Sequence, residues 1–190
     1  MAIPLSNEGK DIILKGRLER SVKEWMEEWG KVILRAAVIL LVLFYFCWPV
    51  RLSGSSMEPA LGDGEIVLMS RAMTMAGMYD RGDIVVFRYD GGNGPKTLVK
   101  RVTGLQGEHI RILPKGAGVE IDGVILQEPY AEGRTDGLVD MDIPEGAVFL
   151  MGDNRETSYD SRNIGTVTER DLKGKVFFRI YPFSGFGVIS

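Results

Sequence analysis

The fold turns on one stretch, Lys31-Val32-Ile33-Leu34-Arg35-Ala36-Ala37-Val38-Ile39-Leu40-Leu41-Val42-Leu43-Phe44-Tyr45-Phe46-Cys47-Trp48-Pro49-Val50, and on the turn behind it, Ser53-Gly54-Ser55-Ser56-Met57-Glu58-Pro59. A spanning helix needs about 20 mostly apolar residues. Lys31 to Val50 meets that if Arg35 snorkels back to an interface. Tyr45 and Trp48 suit the far interface and Pro49 suits a helix exit. A buried core helix would carry a polar stripe, and Ala36 to Phe46 has none. A cleaved secretory leader is disfavoured by the long charged segment ahead of the run and by the lack of a small-residue cleavage site behind it. A serine-rich turn therefore opens directly beyond an expected membrane anchor, residues 31–50.

Upstream, Met1 to Gly9 carry no pattern and are expected to be mobile. From Asp11 to Trp29, Leu14, Leu18, Val22, Trp25 and Trp29 recur at helical spacing among charges, as in an amphipathic helix. Such a helix suits the headgroup layer or a packed soluble position equally well. Residues 1–30 are thus expected to form a cytoplasmic amphipathic segment. The orientation comes from Lys10, Lys15, Arg17, Arg20, Lys23 and Lys31 ahead of the run, against Arg51 alone between the run and Arg71. That asymmetry predicts a single-pass protein of the cell membrane, with its N-terminus cytoplasmic and residues 51–190 outside.

Downstream the pattern is mainly β. Short apolar runs recur at Ile66 to Met69, Ile84 to Phe87, Leu98 to Val102, Ile110 to Leu113, Val119 to Leu126, Ala147 to Met151 and Val176 to Tyr181. Gly62-Asp63-Gly64, Asp90 to Pro95 and Ile121-Asp122-Gly123 punctuate them as turns. Arg71 to Tyr79 is the one candidate helix. A single β domain with a complex antiparallel strand order is expected. The apolar tail from Tyr181 to Ile189 either dips into the outer leaflet or covers the core.

Composition limits the chemistry. Of 190 residues, 45% are hydrophobic and 26% charged, and the net charge of −3 gives no reason to expect a nucleic-acid partner. One cysteine, Cys47, allows no disulfide or thiolate metal site within a single chain. One histidine, His109, lies in an alternating run and reads as a solvent-facing strand residue. Neither a metal nor a cofactor is expected. A serine nucleophile here needs another base, and lysine is the recognised substitute. A free lysine, with a pKa of about 10.4, is protonated at neutral pH, so a catalytic one must lie among apolar neighbours. Lys100 fits in Thr97-Leu98-Val99-Lys100-Arg101-Val102: on a strand it shares a face with Leu98 and Val102 while Arg101 points the other way. A third stretch, Gly152-Asp153-Asn154-Arg155-Glu156-Thr157-Ser158-Tyr159-Asp160-Ser161-Arg162, is dense in hydrogen-bonding side chains. Taken singly, each stretch also fits a plain surface strand or loop.

In this order the three stretches, with Gly82-Asp83-Ile84-Val85-Val86, resemble type I signal peptidases, membrane-anchored serine proteases that remove signal peptides from exported preproteins. The resemblance implies a signal-peptidase-type β fold, Ser56 as nucleophile and Lys100 as general base. It implies that Ser158 hydrogen-bonds and orients the lysine amine, and that Arg101, Asp153, Asp160 and Arg162 form a charge network beneath the site. The Ser56 N–H would supply one oxyanion donor. Ala60 stands where members often carry threonine, and Leu98 where an aromatic is more usual. Gly54 stands where some members carry a second oxyanion hydroxyl, a role open to Ser53 or Ser55. The family cuts after small residues in an Ala-x-Ala pattern, and Leu52, Met57, Leu61, Leu98 and Val99 flank the pair as candidate walls of shallow pockets. The short segment between Arg101 and Gly152 leaves room for a small accessory region within about 103–147. The implied partners are preproteins and the lipid bilayer. A self-cleaving repressor, a conjugation-pilus processing enzyme and a membrane-tethered adaptor are the competing readings.

Overall fold

The computed structural model describes residues 7–92 and 94–189, and within its first helix the side chains of 23, 25–42 and 46. The chain divides into two compact units, Met1–Tyr45 and Phe46–Ser190.

The first unit is built on one helix, α1 (Asn7–Phe46), 40 residues long. The two segments expected before and after Gly30 are one continuous helix, because no proline lies between Asn7 and Pro49. It starts inside the segment expected to lack pattern; residues 1–6 lie outside the description, as do the side chains of Leu14, Leu18 and Val22 on the expected amphipathic face. Trp25 and Trp29 are exposed, with ring centroids 5.9 Å apart. Among the described residues no helix is long and apolar enough to cross a membrane. The apolar run does not stay helical to Val50 as expected. It leaves the helix at Phe46, and Cys47–Arg51 form strand β1. Proline disfavours helical geometry in the residue before it, and Pro49 sits on an edge strand, where a missing N–H is tolerated.

The second unit is antiparallel β throughout its named strands. After β1 come β2 (Ile66–Ser70), the short helix α2 (Arg71–Met75), β3 (Ile84–Asp90), β4 (Pro95–Gly104), β5 (His109–Ile112), β6 (Val119–Ile121), β7 (Val124–Ile125), β8 (Asp140–Asp142) and β9 (Ala147–Met151). Helix α3 (Ser161–Ile164), β10 (Val167–Thr168), β11 (Leu172–Tyr181) and β12 (Gly187–Val188) complete it. The main sheet has the order β1-β2-β11-β3-β4-β9-β10, with β12 added on β11; a smaller sheet has the order β7-β6-β5-β8.

Both faces of the main sheet are covered, and the two-residue period of its strands divides them. On β3, Ile84 and Val86 enter one cluster with Leu52, Met57, Leu61, Val67, Met69 and Val176. Val85 and Phe87 enter another with Val102, Val148, Leu150 and Leu172. On β9, Val148 and Leu150 join that second cluster, whereas Ala147, Phe149 and Met151 face Ile110, Ile112, Val119 and Ile121 of the small sheet. All five residues of β9 are buried. The small sheet occupies the region expected to be accessory, yet it shares its core with β9 instead of enclosing one of its own. The apolar tail does the same in part: Ile189 packs against the first cluster, while Phe183, Phe186 and Val188 are exposed.

Candidate active site

The turn carrying Ser56 is clamped at both ends. Leu52 N–H donates to Glu65 O at 2.8 Å and Gly64 N–H to Leu52 O at 3.1 Å, which closes the loop's base. Met57 and Leu61 are buried, and Leu61 N–H bonds Met57 O at 2.8 Å. Gly54 has φ +93°, the left-handed region that favours glycine, and its N–H donates to Asp63 Oδ1 at 2.7 Å. Backbone geometry therefore accounts for glycine at this position.

Strand β4 brings in Lys100 opposite Val85 of β3. Its Nζ lies 2.6 Å from Ser56 Oγ, and the residue is only 3% exposed. Burial lowers the Lys100 pKa to about 8, against the opposing pull of Asp160 and Asp153 and with help from Arg162. Neither carboxylate is in an ion pair with it. A neutral amine in hydrogen-bond reach of a hydroxyl is the arrangement a general base needs.

The next residue treats its charge differently. Arg101 forms a bidentate pair with Asp153, Nε to Oδ1 at 2.8 Å and Nη2 to Oδ2 at 2.6 Å, and donates from Nη1 to Gly82 O at 2.6 Å. Its guanidinium lies 4.1 Å from the centroid of the Tyr130 ring. Burial pushes the Asp153 carboxyl upward, against the Arg101 contacts that pull it down. Burial also acts upward on Asp160, but Arg162, bonding through Nε at 2.8 Å and Nη2 at 2.9 Å, and the Gly152 N–H at 3.0 Å together hold it below the usual range. The four residues expected to form one network thus make two ion pairs, Arg101–Asp153 and Arg162–Asp160, because Asp153 and the Asp160–Arg162 pair come from opposite ends of the 152–162 loop while Arg101 comes from β4.

What joins the pairs is a residue to which the sequence reading assigned no role. Arg155, 2% exposed, donates from Nε to Gly152 O at 3.1 Å, from Nη1 to Thr135 Oγ1 and to Glu128 Oε2, both at 2.9 Å, and from Nη2 to Glu128 Oε1 at 2.6 Å, while Arg162 Nη2 donates to the Arg155 carbonyl at 2.7 Å. Arg155 lies in the polar loop that drew notice. Glu128 and Tyr130 lie in a stretch with no period, and their partners are distant in sequence, so no local signal marks them.

Ser158 is buried beside the site but does not make the expected bond to Lys100. It lies near enough to Asp160 to favour that carboxylate's ionised form, yet its Oγ meets no partner at hydrogen-bonding geometry. It packs against Gly152, where any Cβ would collide with Ser158 Oγ and the Ser56 carbonyl. That carbonyl accepts from Asn154 N–H at 3.2 Å, tying the serine turn to the 152–162 loop. The five residues expected to wall the pockets, Leu52, Met57, Leu61, Leu98 and Val99, all line one cavity of about 200 Å³ that also contains Ser56 and Lys100. Ser53 and Gly54 of the serine turn complete it together with Val50, Arg51 and Thr97, of which the last three were not anticipated. His109 lies elsewhere, in the small sheet, between Asp142 at 2.7 Å and Asp140 at 3.0 Å, which together raise its pKa.

Residues 26–181 match the family model described as signal peptidase, peptidase S26. The chain belongs to that family. It is a serine endopeptidase of the signal peptidase I type. Signal peptidase I of Bacillus licheniformis is 34% identical over 175 residues, covering 85% of this chain and 92% of that one. Signal peptidase I U of Bacillus subtilis is 36% identical over 163 residues, covering 80% and 85%. A crystal structure of a signal peptidase I from Enterococcus faecalis aligns at 27% identity over 50% of this chain and 94% of that one, with a TM-score of 0.43. The span matched to the peptidase family contains the whole cavity, the Arg101–Asp153 pair and the 152–162 loop.

Proposed function

We propose that this chain removes N-terminal signal peptides from exported preproteins, with Ser56 as nucleophile and neutral Lys100 as general base. The observation that carries this reading is the 2.6 Å approach of a buried, partnerless-by-charge lysine to a serine hydroxyl in an apolar cavity. In the acylation step Nζ accepts the Oγ proton as Oγ bonds the scissile carbonyl carbon. The resulting ammonium then protonates the departing amine as the C–N bond breaks, leaving an ester on Ser56. Lys100, neutral again, deprotonates a water that hydrolyses the ester. The Ser56 N–H is assigned to the oxyanion, a donor worth about 3–4 kcal/mol when preorganised. Ser158, buried with an unused hydroxyl, is assigned to orient the amine, and the Arg101–Asp153 and Arg162–Asp160 pairs to hold the floor.

A cavity of about 200 Å³ walled by Leu52, Met57, Leu61, Leu98 and Val99 suits small side chains, which supports cleavage after an Ala-x-Ala pattern. We assign α1 to anchoring: Val32, Ile33, Leu34, Val38, Ile39, Leu40 and Leu41 are all more than half exposed, an apolar surface that water alone does not favour. With the lysine and arginine asymmetry, this supports a single-pass protein with its catalytic domain outside the cytoplasm. Cleavage of a preprotein by the purified full chain tests the assignment. Ser56→Ala and Lys100→Ala should each abolish cleavage with circular dichroism unchanged, and a Lys100→Ala variant that still processes the preprotein would refute the base.

A further inference from the structure

A second cleft crosses the main sheet, about 540 Å³ in volume, and its charge is one-sided. Arg51 of β1, Arg71 at the start of α2, Arg88 of β3, Lys96 of β4 and Lys173 of β11 line it, and no carboxylate does. Among the described residues these cations form no ion pair, whereas Lys175 and Arg179 on the same strand β11 do, with Asp83 and Glu65. Five cations from four strands and one helix, gathered in one concavity without a counter-charge, repel one another unless an anion enters. Apart from Thr97 the remainder of the lining is apolar: Trp48 has the Arg71 guanidinium 5.4 Å from its ring centroid, and Met69 and Val86 join it. Trp48, Pro49 and Val50 are also the last residues of the chain's apolar run.

From this juxtaposition we infer that the cleft binds the phosphate headgroup of an anionic phospholipid, with Trp48 and its apolar neighbours against the glycerol and upper acyl chain. A tryptophan beside guanidinium groups matches the headgroup level of a bilayer, where amphipathic rings and phosphate-pairing cations are both favoured. An acidic peptide would use the cations but leave the apolar floor unfilled, so the mixed lining favours the lipid. The cleft shares Val50, Arg51 and Thr97 with the cavity holding Ser56 and Lys100, so a lipid seated there lies at the edge of the catalytic site. The inference rests on the reading that this domain works at a membrane surface.

The test uses the full chain in neutral-detergent micelles, with lipid retention followed by native mass spectrometry. Phosphatidylglycerol should be retained in preference to phosphatidylcholine, and neither inorganic phosphate nor an oligoglutamate peptide should displace it. The triple variant Arg71→Gln/Arg88→Gln/Lys173→Gln, whose substituted residues lie outside the catalytic cavity, should bind phosphatidylglycerol about 100-fold more weakly, roughly fivefold for each cation removed. Its cleavage of a short soluble peptide should match the wild type, which shows that it folds and separates this site from the Ser56–Lys100 assignment. Equal retention of both lipids by the wild type, or unchanged retention in the triple variant, overturns the inference. Displacement by oligoglutamate would assign the cleft to acidic peptides, and displacement by phosphate alone to a free anion. Activity surviving in Lys100→Ala would sink the catalytic proposal while leaving lipid retention untouched.

Discussion

The two faces of strand β4 handle a buried cation in opposite ways. Lys100 and Arg101 are consecutive, and each is 3% exposed. Arg101 receives both oxygens of Asp153, a backbone carbonyl and an aromatic ring. Lys100 receives a serine hydroxyl and apolar walls, with its pKa lowered to about 8. The guanidinium cannot release its proton in the working range, so burial is tolerable only with a carboxylate. The ammonium can, so burial without a carboxylate partner lowers its pKa and fits the proposed role of base. Equal burial does not mean equal role; the partner decides whether a buried cation holds structure or moves protons.

Lys100→Arg breaks the comparison most severely. It keeps the charge, removes the titration, and should lower peptide kcat/KM about 10,000-fold or more, comparable to loss of a whole nucleophile–base unit. A variant retaining a tenth of wild-type activity would show that a neutral amine is not needed. On the opposite face, Arg101→Ala leaves Asp153 buried without its partner and should cost about 3–5 kcal/mol of stability in denaturant titration. Replacing both partners with apolar residues, Arg101→Met/Asp153→Leu, should recover most of that loss; failure to recover would mean that Gly82 and Tyr130 contribute more than the ion pair. Gly152→Ala tests the junction between the faces. Its Cβ displaces Ser158 and the Ser56 carbonyl, and a shift of about 1 Å at the site should lower kcat by about 100-fold. An unchanged kcat would show that the 152–162 loop adapts freely.

Most of the strand content was legible because the main sheet is buried on both faces. The apolar runs at β2, β3, β4 and β9 are the strands that fill the two clusters. The pairing of Ser56 with Lys100 was legible only through the resemblance of the three stretches taken together: the lack of a useful histidine pointed to lysine, but Lys100 on its own also fits a plain surface strand. What escaped the reading lies where local pattern and tertiary partner disagree. Cys47 to Val50 reads as the end of an apolar helix, and only β2, with Val50 opposite Val67, makes it a strand. Asp140-Met141-Asp142 carries no strand signal, and it pairs with β5 around His109. Arg155 and Glu128 gain meaning only from each other, across a separation no periodicity spans. The charge network divided into two pairs for the same reason: the resemblance grouped the four residues without specifying which oxygen meets which guanidinium.

The most direct test of Lys100 as the neutral base is the pH dependence of peptide kcat/KM for the full chain, measured alongside His109→Gln. Because the Lys100 pKa is lowered, the neutral, active form is scarce below that value and accumulates above it. The profile should therefore rise through an acid limb near pH 8, and His109→Gln should leave that limb in place. Because Asp142 and Asp140 raise the His109 pKa above the ordinary imidazole value, the position of the limb alone does not decide; an acid limb that disappears in His109→Gln would contradict the account and give the role of base to His109.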